Sequence, residues 1–335
     1  MRNAIVNSKF TNFVYTKLSF FDRVNMLKQI FYSHLLVVVT AALFTPLAVA
    51  ESGVSSPRTK QLVQGVYTQD LEAAGYFQQG VNNYNQGNFA AAFSAFEKAI
   101  ERDPSIAMAY HYMGNVLLGR GRNVEAIAEY SRAIQLDPSL AESHYNLGIA
   151  LYRQDRLDDA IVAYQRSIAI NPRNPNAYYN MGVALYEQKQ LNGAIDAYRQ
   201  AIALSPKKVN AWLNLAIALE QQGNFDAAIE AYEKATDLDP KLVTAQNSLG
   251  NLLVKQDRFG EAIVAYQEAI RRQPKDPIAH YNLGMLLYRE GNLEDALSPL
   301  REAREIYEDQ GNNAKAAELT QLINQIKQRL EAQKK

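Results

Sequence analysis

One interval constrains this chain more than any other feature. Proline stands at Pro104, Pro138, Pro172, Pro206, Pro240 and Pro274, each 34 residues after the last. Gly80, Gly114, Gly148, Gly182, Gly250 and Gly284 keep the same step, with Ala216 in the vacant place. So do the small residues Ala92, Ala126, Ala160, Ala194, Ala228, Ala262 and Ala296, and the series Ala99, Ala133, Ser167, Ala201, Ala235, Ala269 and Ala303. Phe96, Tyr130, Tyr164, Tyr198, Tyr232 and Tyr266 add an aromatic series, closed by Leu300. A fixed period of this length marks a repeat architecture. A unit so short cannot bury its apolar face alone, so the units must stack on one another instead of sharing one globular core.

Each unit reads as two helices. In the third, Tyr145, Leu147, Leu151 and Tyr152 have helical spacing, and so do Ala160, Ile161, Ala163, Tyr164 and Ile168. Short turns such as Gln222-Gly223-Asn224 and Glu290-Gly291-Asn292 join the helices. The Asp-Pro, Asn-Pro or Ser-Pro pairs end the second helix, because proline drives the residue before it out of the α region. Glycine and alanine on the lattice let two helix axes approach, and the aromatic fills the hole beside them.

These residues together resemble the tetratricopeptide repeat family over about residues 73–308. The resemblance implies an all-α fold: a right-handed α-solenoid superhelix of seven 34-residue helix-turn-helix repeats, residues 73–310, whose first helices line a concave groove. The last unit departs from the pattern. Leu300 replaces the aromatic, Glu308 replaces the proline, and Pro299 falls inside the second helix, where it should remove a hydrogen bond and kink it. Residues 311–335 then carry the stripe Leu319, Leu322, Ile323, Ile326 and Leu330, which reads as a capping helix with its apolar side turned onto the array.

The N-terminus has another character. Residues 1–34 hold Arg2, Lys9, Lys17, Arg23 and Lys28 against Asp22 alone, and the apolar run from Leu35 to Phe44 and the small triplet Ala48-Val49-Ala50 follow. That order describes a signal peptide over residues 1–50, with Met26 as an alternative start. The competing reading is an uncleaved membrane tether through residues 30–50. In either case the repeats are expected outside the cytoplasm, in the periplasm or an equivalent lumen. Residues 51–72 read as a linker and lead-in.

Little in the chain points to catalysis. The formal charge of +0 argues against nucleic acid as a partner. The absence of cysteine excludes disulfides and thiolate zinc sites. Outside the first 50 residues, histidine occurs only at His111, His144 and His280. His144 and His280 take the lattice place of Tyr110, Tyr178 and Trp212, so they should pack between helices; His111 takes the groove-side place of Tyr145 and Tyr179. No nucleophile elbow, phosphate-cradling loop or His-Glu-x-x-His run is present. Neither metal nor cofactor is expected, and an enzyme using His111 ranks last among the possible roles.

What the resemblance implies for function lies in the groove. The series Asn146, Asn180, Asn214, Ser248 and Asn282 occupies one first-helix place, with Asn115 and Asn251 as further amides. It resembles the asparagine ladder of O-linked N-acetylglucosamine transferases, where amides grip an extended peptide backbone. An amide suits that task because it offers a donor and an acceptor together. Tyr145, Tyr179 and Tyr281 flank the series, with Tyr152, Tyr186 and Tyr288 a turn further on, giving large contact area with a polar tip. Glu142, Asn176 and Asn180 stand where chaperone-tail receptors of the family carry basic residues, so that ligand is not expected. The expected partners are extended segments of other proteins, and the candidate site is Asn115, Asn146, Asn180, Asn214 and Asn282 with Tyr145, Tyr179, Tyr186 and Tyr281. The rival role is a membrane-tethered subunit that joins a larger complex through its convex face and ends.

Overall fold

The computed structural model describes residues 68–333. The segment expected to direct export or to tether the chain, residues 1–50, lies outside them. Among the described residues all regular structure is helical, in 15 helices. The described residues divide into two compact units, with the break between Gln188 and Lys189. The first contains α1 (Leu71–Asn85), α2 (Phe89–Arg102), α3 (Ala107–Gly119), α4 (Asn123–Leu136), α5 (Ala141–Arg153), α6 (Leu157–Ile170) and α7 (Pro175–Glu187). The second contains α8 (Leu191–Leu204), α9 (Val209–Gln222), α10 (Phe225–Leu238), α11 (Val243–Lys255), α12 (Phe259–Arg272), α13 (Pro277–Arg289), α14 (Leu293–Asp309) and α15 (Asn313–Gln333).

The helix ends fall where the lattice places them. The second helices α2, α4, α6, α8 and α10 stop just before Asp103, Asp137, Asn171, Ser205 and Asp239, each of which precedes a lattice proline. α1 begins at Leu71, ahead of the expected boundary at 73, because the Asp70 carboxylate accepts the backbone N–H groups of Glu72 and Ala73 at 2.9 and 3.0 Å. Asn174-Pro175 and Asp276-Pro277 start α7 and α13 in the same way, with a side-chain cap followed by proline in the first turn. The turn inside each unit needs one left-handed residue. Gly223 (φ 88°) and Gly291 (φ 80°) supply it without strain, while Asp155 (φ 59°), Lys189 (φ 61°) and Asp257 (φ 56°) adopt it at the cost of crowding their Cβ atoms.

The expected hole-filling is observed. Tyr130, Tyr164, Tyr198, Tyr232 and Tyr266 are all buried, and Tyr130, Tyr164 and Tyr266 lie directly against the glycine of their own first helix. A Cβ placed on Gly250 would stand 2.4 Å from Tyr266 Cε1, and one on Gly114 would stand 2.6 Å from Tyr130 Cε1. The second small series is buried as well, Ser167 included. His280 is buried and His144 half-buried, and both rings donate to a carbonyl at the preceding turn. His144 Nε2 lies 3.1 Å from the Pro138 carbonyl and His280 Nε2 lies 2.9 Å from that of Pro274, the same bond that Trp212 Nε1 makes to Pro206 at 2.8 Å. An indole nitrogen can only donate, so the equivalent imidazoles carry their proton on Nε2.

Within each unit successive first helices touch across the repeat boundary, α3 with α5, α5 with α7 and α11 with α13. Among the described residues, no pair of successive second helices comes as close. The first helices therefore form the inner side of each unit. At the C-terminal end, α14 continues through Pro299 to Asp309, since Glu308 replaces the proline that stops the other second helices. The apolar side of α15 closes the array, with Ala316, Leu319, Ile323 and Ile326 buried against α14 and Leu322 and Leu330 partly so. Among the described residues no helix is long and apolar enough to cross a membrane.

Candidate functional site

The site is built from exceptions to the lattice. One inner-side place reads Phe77, His111, Tyr145, Tyr179, Leu213, Asn247 and Tyr281 down the repeats, so His111 is its one imidazole. A second place reads Ala109, Ser143, Ala177, Ala211, Ala245 and Ala279, so Ser143 is its one hydroxyl. The fold brings these two exceptions together, with His111 Nδ1 at 2.8 Å from Ser143 Oγ. Asn115 and Asn251 are likewise the two amides in a place otherwise held by Val81, Ile149, Val183, Ile217 and Met285.

In the first unit Asn115 is a hub. Its Oδ1 accepts the Tyr130 hydroxyl at 2.7 Å and the Asn146 amide at 2.8 Å, while its Nδ2 lies 3.1 Å from His111 Nε2. Since Oδ1 is occupied by two donors, Nδ2 donates to the imidazole. The proton of His111 is then on Nδ1 and goes to Ser143 Oγ. Ser143 is fully buried and His111 is 7% exposed, and burial pushes the imidazole down to about 4, so it is neutral. This Ser–His pair cannot act as nucleophile and base: the nitrogen facing the hydroxyl already holds a proton, and no substrate reaches it. The expectation that His111 lines the groove is corrected accordingly. Phe77 and Tyr179, in the same place, are buried too.

The second unit repeats the arrangement without the histidine. Asn251 Oδ1 accepts the Tyr266 hydroxyl at 2.7 Å and the Asn282 amide at 3.2 Å. Here Asn247 stands in the place of His111 and turns elsewhere, its Nδ2 donating to Asp276 Oδ2 at 2.7 Å.

The remaining candidates divide by exposure. Asn146 and Asn282 are half-buried and keep their carbonyl oxygens open among the described residues. Asn180 and Asn214, expected as equal members of the ladder, are 8% and 9% exposed, and Asn180 donates to the Tyr145 hydroxyl at 3.1 Å. Tyr179, expected as a flanking contact, is buried. Tyr145, Tyr186 and Tyr281 are half-buried; the Tyr145 ring packs 6.1 Å from that of Tyr164, and the Lys315 ammonium sits 5.0 Å from the centre of Tyr281. Three charged side chains beside these tyrosines, Arg153, Glu187 and Arg289, are engaged with neighbouring repeats. Tyr152 donates to Glu187, Arg153 Nη1 donates to the Leu118 carbonyl at 3.1 Å, and Arg289 lies 4.8 Å over Phe259 and 3.4 Å from Asp257. Among the described residues no three His, Cys, Asp or Glu side chains converge on a metal position.

Stacked helix pairs with an amide-bearing inner side define the class of helical-repeat interaction proteins. A model described as the Cilia and flagella-associated protein 70 C-terminal domain matches residues 141–335, more than half of the chain. Tetratricopeptide repeat models match residues 73–106, 95–128 and 114–155. The chain belongs to the tetratricopeptide repeat family. No curated protein sequence matches it. Among solved structures it is similar to YrrB, described as a TPR protein with an unusual peptide-binding site, at 24% identity and a TM-score of 0.51, covering 55% of this chain and 95% of that one. It is also similar to pilF of Pseudomonas aeruginosa, at 22% identity and a TM-score of 0.50, covering 66% and 98%. Both likenesses show the fold.

Proposed function

We propose that this protein is a non-enzymatic scaffold, acting outside the cytoplasm, that holds extended segments of other proteins along the inner first helices of its repeats. A protein-interaction role follows from the family. The finer reading is carried by one observation: Asn146 and Asn282 are each oriented by an internal bond to a neighbouring asparagine, and each keeps its own carbonyl oxygen open. An amide held by one N–H still offers the other N–H and the carbonyl, the complement of a peptide unit. Each such bond contributes about 0.5–1.5 kcal/mol, so a few of them with partial tyrosine burial give affinities on the order of micromolar. Export is supported by the basic region, the apolar run and Ala48-Val49-Ala50 ahead of Glu51.

The binding test screens a random dodecapeptide library on the wild-type chain and measures the best binder by calorimetry against Asn146→Ala and Asn282→Ala, with circular dichroism to check folding. Folded variants that bind more weakly support the reading; undiminished affinity in both would overturn it. N-terminal sequencing of the fractionated protein tests export, a first residue of Glu51 being the expected result. A retained N-terminus would favour the tethered subunit.

A further inference from the structure

The two asparagine pairs differ in what surrounds the nitrogen of the first amide, and there His111 makes the direct bond. In both units a buried tyrosine sets the polarity of the pair. Tyr130 and Tyr266 are buried tyrosines whose hydroxyls donate to Oδ1 of Asn115 and Asn251 respectively. Turning either amide over would leave a phenolic proton buried without an acceptor. Polarity alone does not hold the amide still. Asn251 is exposed and its Nδ2 bonds no described residue, so it is held at one end. Asn115 is half-buried and held at both ends, by Tyr130 and Asn146 on its oxygen and by His111 on its nitrogen, with the Tyr84 hydroxyl also within hydrogen-bonding reach. His111 is itself braced by Ser143, and its ring packs against Tyr112 and Tyr130 with centroids 5.6 and 5.9 Å away.

We propose that His111 is a positioning residue: with Ser143 behind it, it locks the Asn115 amide and so makes Asn146 the pre-oriented anchoring amide of the first unit, while Asn282 in the second unit remains adaptable. The proposal rests on the groove-binding reading above and says which of its amides sets affinity. Pre-orientation raises affinity because the ordering cost is met before the ligand arrives.

The chain itself supplies the replacement needed for the test. Leu213 and Ala245 occupy in a later pair of repeats the places of His111 and Ser143, so His111→Leu/Ser143→Ala substitutes a combination that this lattice already packs. The first readout needs no ligand: the side-chain amide NMR signals of Asn115 and Asn146, in the full chain, with those of Asn251 and Asn282 as internal controls. The double variant should quicken the exchange of the first pair with solvent and leave the second pair unchanged. Identical signals for Asn115 and Asn146 in both proteins would overturn the proposal. The second readout is the affinity of the library-selected dodecapeptide, labelled with fluorescein. Losing the equivalent of one neutral hydrogen bond predicts a weakening of about five-fold in the double variant. His111→Gln, which restores an acceptor for Asn115, should recover most of that loss, as a merely structural role would not. If Asn146→Ala binds as tightly as wild type, the groove reading itself has failed. If Asn146→Ala weakens binding and the double variant does not, the positioning role alone is refuted.

Discussion

Replacing Gly250 by alanine tests the close approach on which the whole array depends. The new Cβ would lie 2.4, 2.8 and 2.9 Å from Cε1, Cδ1 and Cζ of Tyr266. Carbon atoms rest at roughly 3.5–4.0 Å, so the ring must retreat by about 1 Å. It has little room, because Tyr266 is 2% exposed and its hydroxyl is held on Asn251 at 2.7 Å. Overpacking of this kind costs about 1–3 kcal/mol, and the better helix propensity of alanine returns about 0.8–1.0 kcal/mol. Taken at the middle of each range, the expected net loss is about 1 kcal/mol. Ala216 occupies the same lattice place opposite Tyr232, whose hydroxyl reaches Glu220 at 3.0 Å. A longer acid can follow a displaced ring where the short Asn251 amide cannot. Gly250→Ala should therefore cost less in a Tyr266→Phe background, by about 0.5–1 kcal/mol of coupling. Urea unfolding of the four proteins of this cycle measures it, and hydrogen exchange should localise the loosening to α11 and α12, since repeats report mainly to their neighbours. A Gly250→Ala protein as stable as wild type would refute the packing argument.

Three further outcomes are expected. Lys189→Gly removes a left-handed strain worth about 1–2 kcal/mol against an unfolded-state entropy cost of about 0.5–1 kcal/mol, so it should stabilise slightly, whereas Asp155→Gly should be nearly neutral; thermal unfolding compares them. Asp276→Ala removes the cap of Ile278 and Ala279 and strands the Asn247 amide, and should lower stability by about 2 kcal/mol in urea unfolding. His111 is held neutral with its folded pKa depressed to about 4 from 6.5, so the unfolded chain binds more protons between those values and stability falls as pH drops through that window. The loss attributable to His111 is roughly 3 kcal/mol by pH 4, read as the difference in pH dependence between wild type and His111→Leu/Ser143→Ala; parallel profiles would contradict its burial as a neutral base.

The array and its internal packing were legible because they rest on periodic, local requirements. A small residue opposite an aromatic in six of the seven repeats states a steric contact, and Gly114 with Tyr130 or Gly250 with Tyr266 realises it. Proline after the second helix states where a helix must stop, and its loss at Glu308 lets α14 run on to Asp309. The candidate site was legible in kind and less so in detail. Asn180, Asn214 and Tyr179 share their places with Asn146 and Tyr145, yet they are buried while the others are not, because exposure depends on neighbouring repeats that the pattern treats as equal. His111 and Ser143 each stood out within a series, and the series could have flagged both. Nothing in the order of residues shows that two such exceptions, on different helices, meet at 2.8 Å.

The periodic spacing by itself determined the helices, their turns and the small-to-aromatic contacts, since these follow from backbone geometry and volume repeated unit by unit. Only the tertiary structure decided which amides stay open and which are spent inside, because hydrogen-bond direction depends on donors and acceptors brought together from different helices. Asn146 faces outward because Asn115 holds its amide, and Asn115 is held because Tyr130 and His111 arrive from either side.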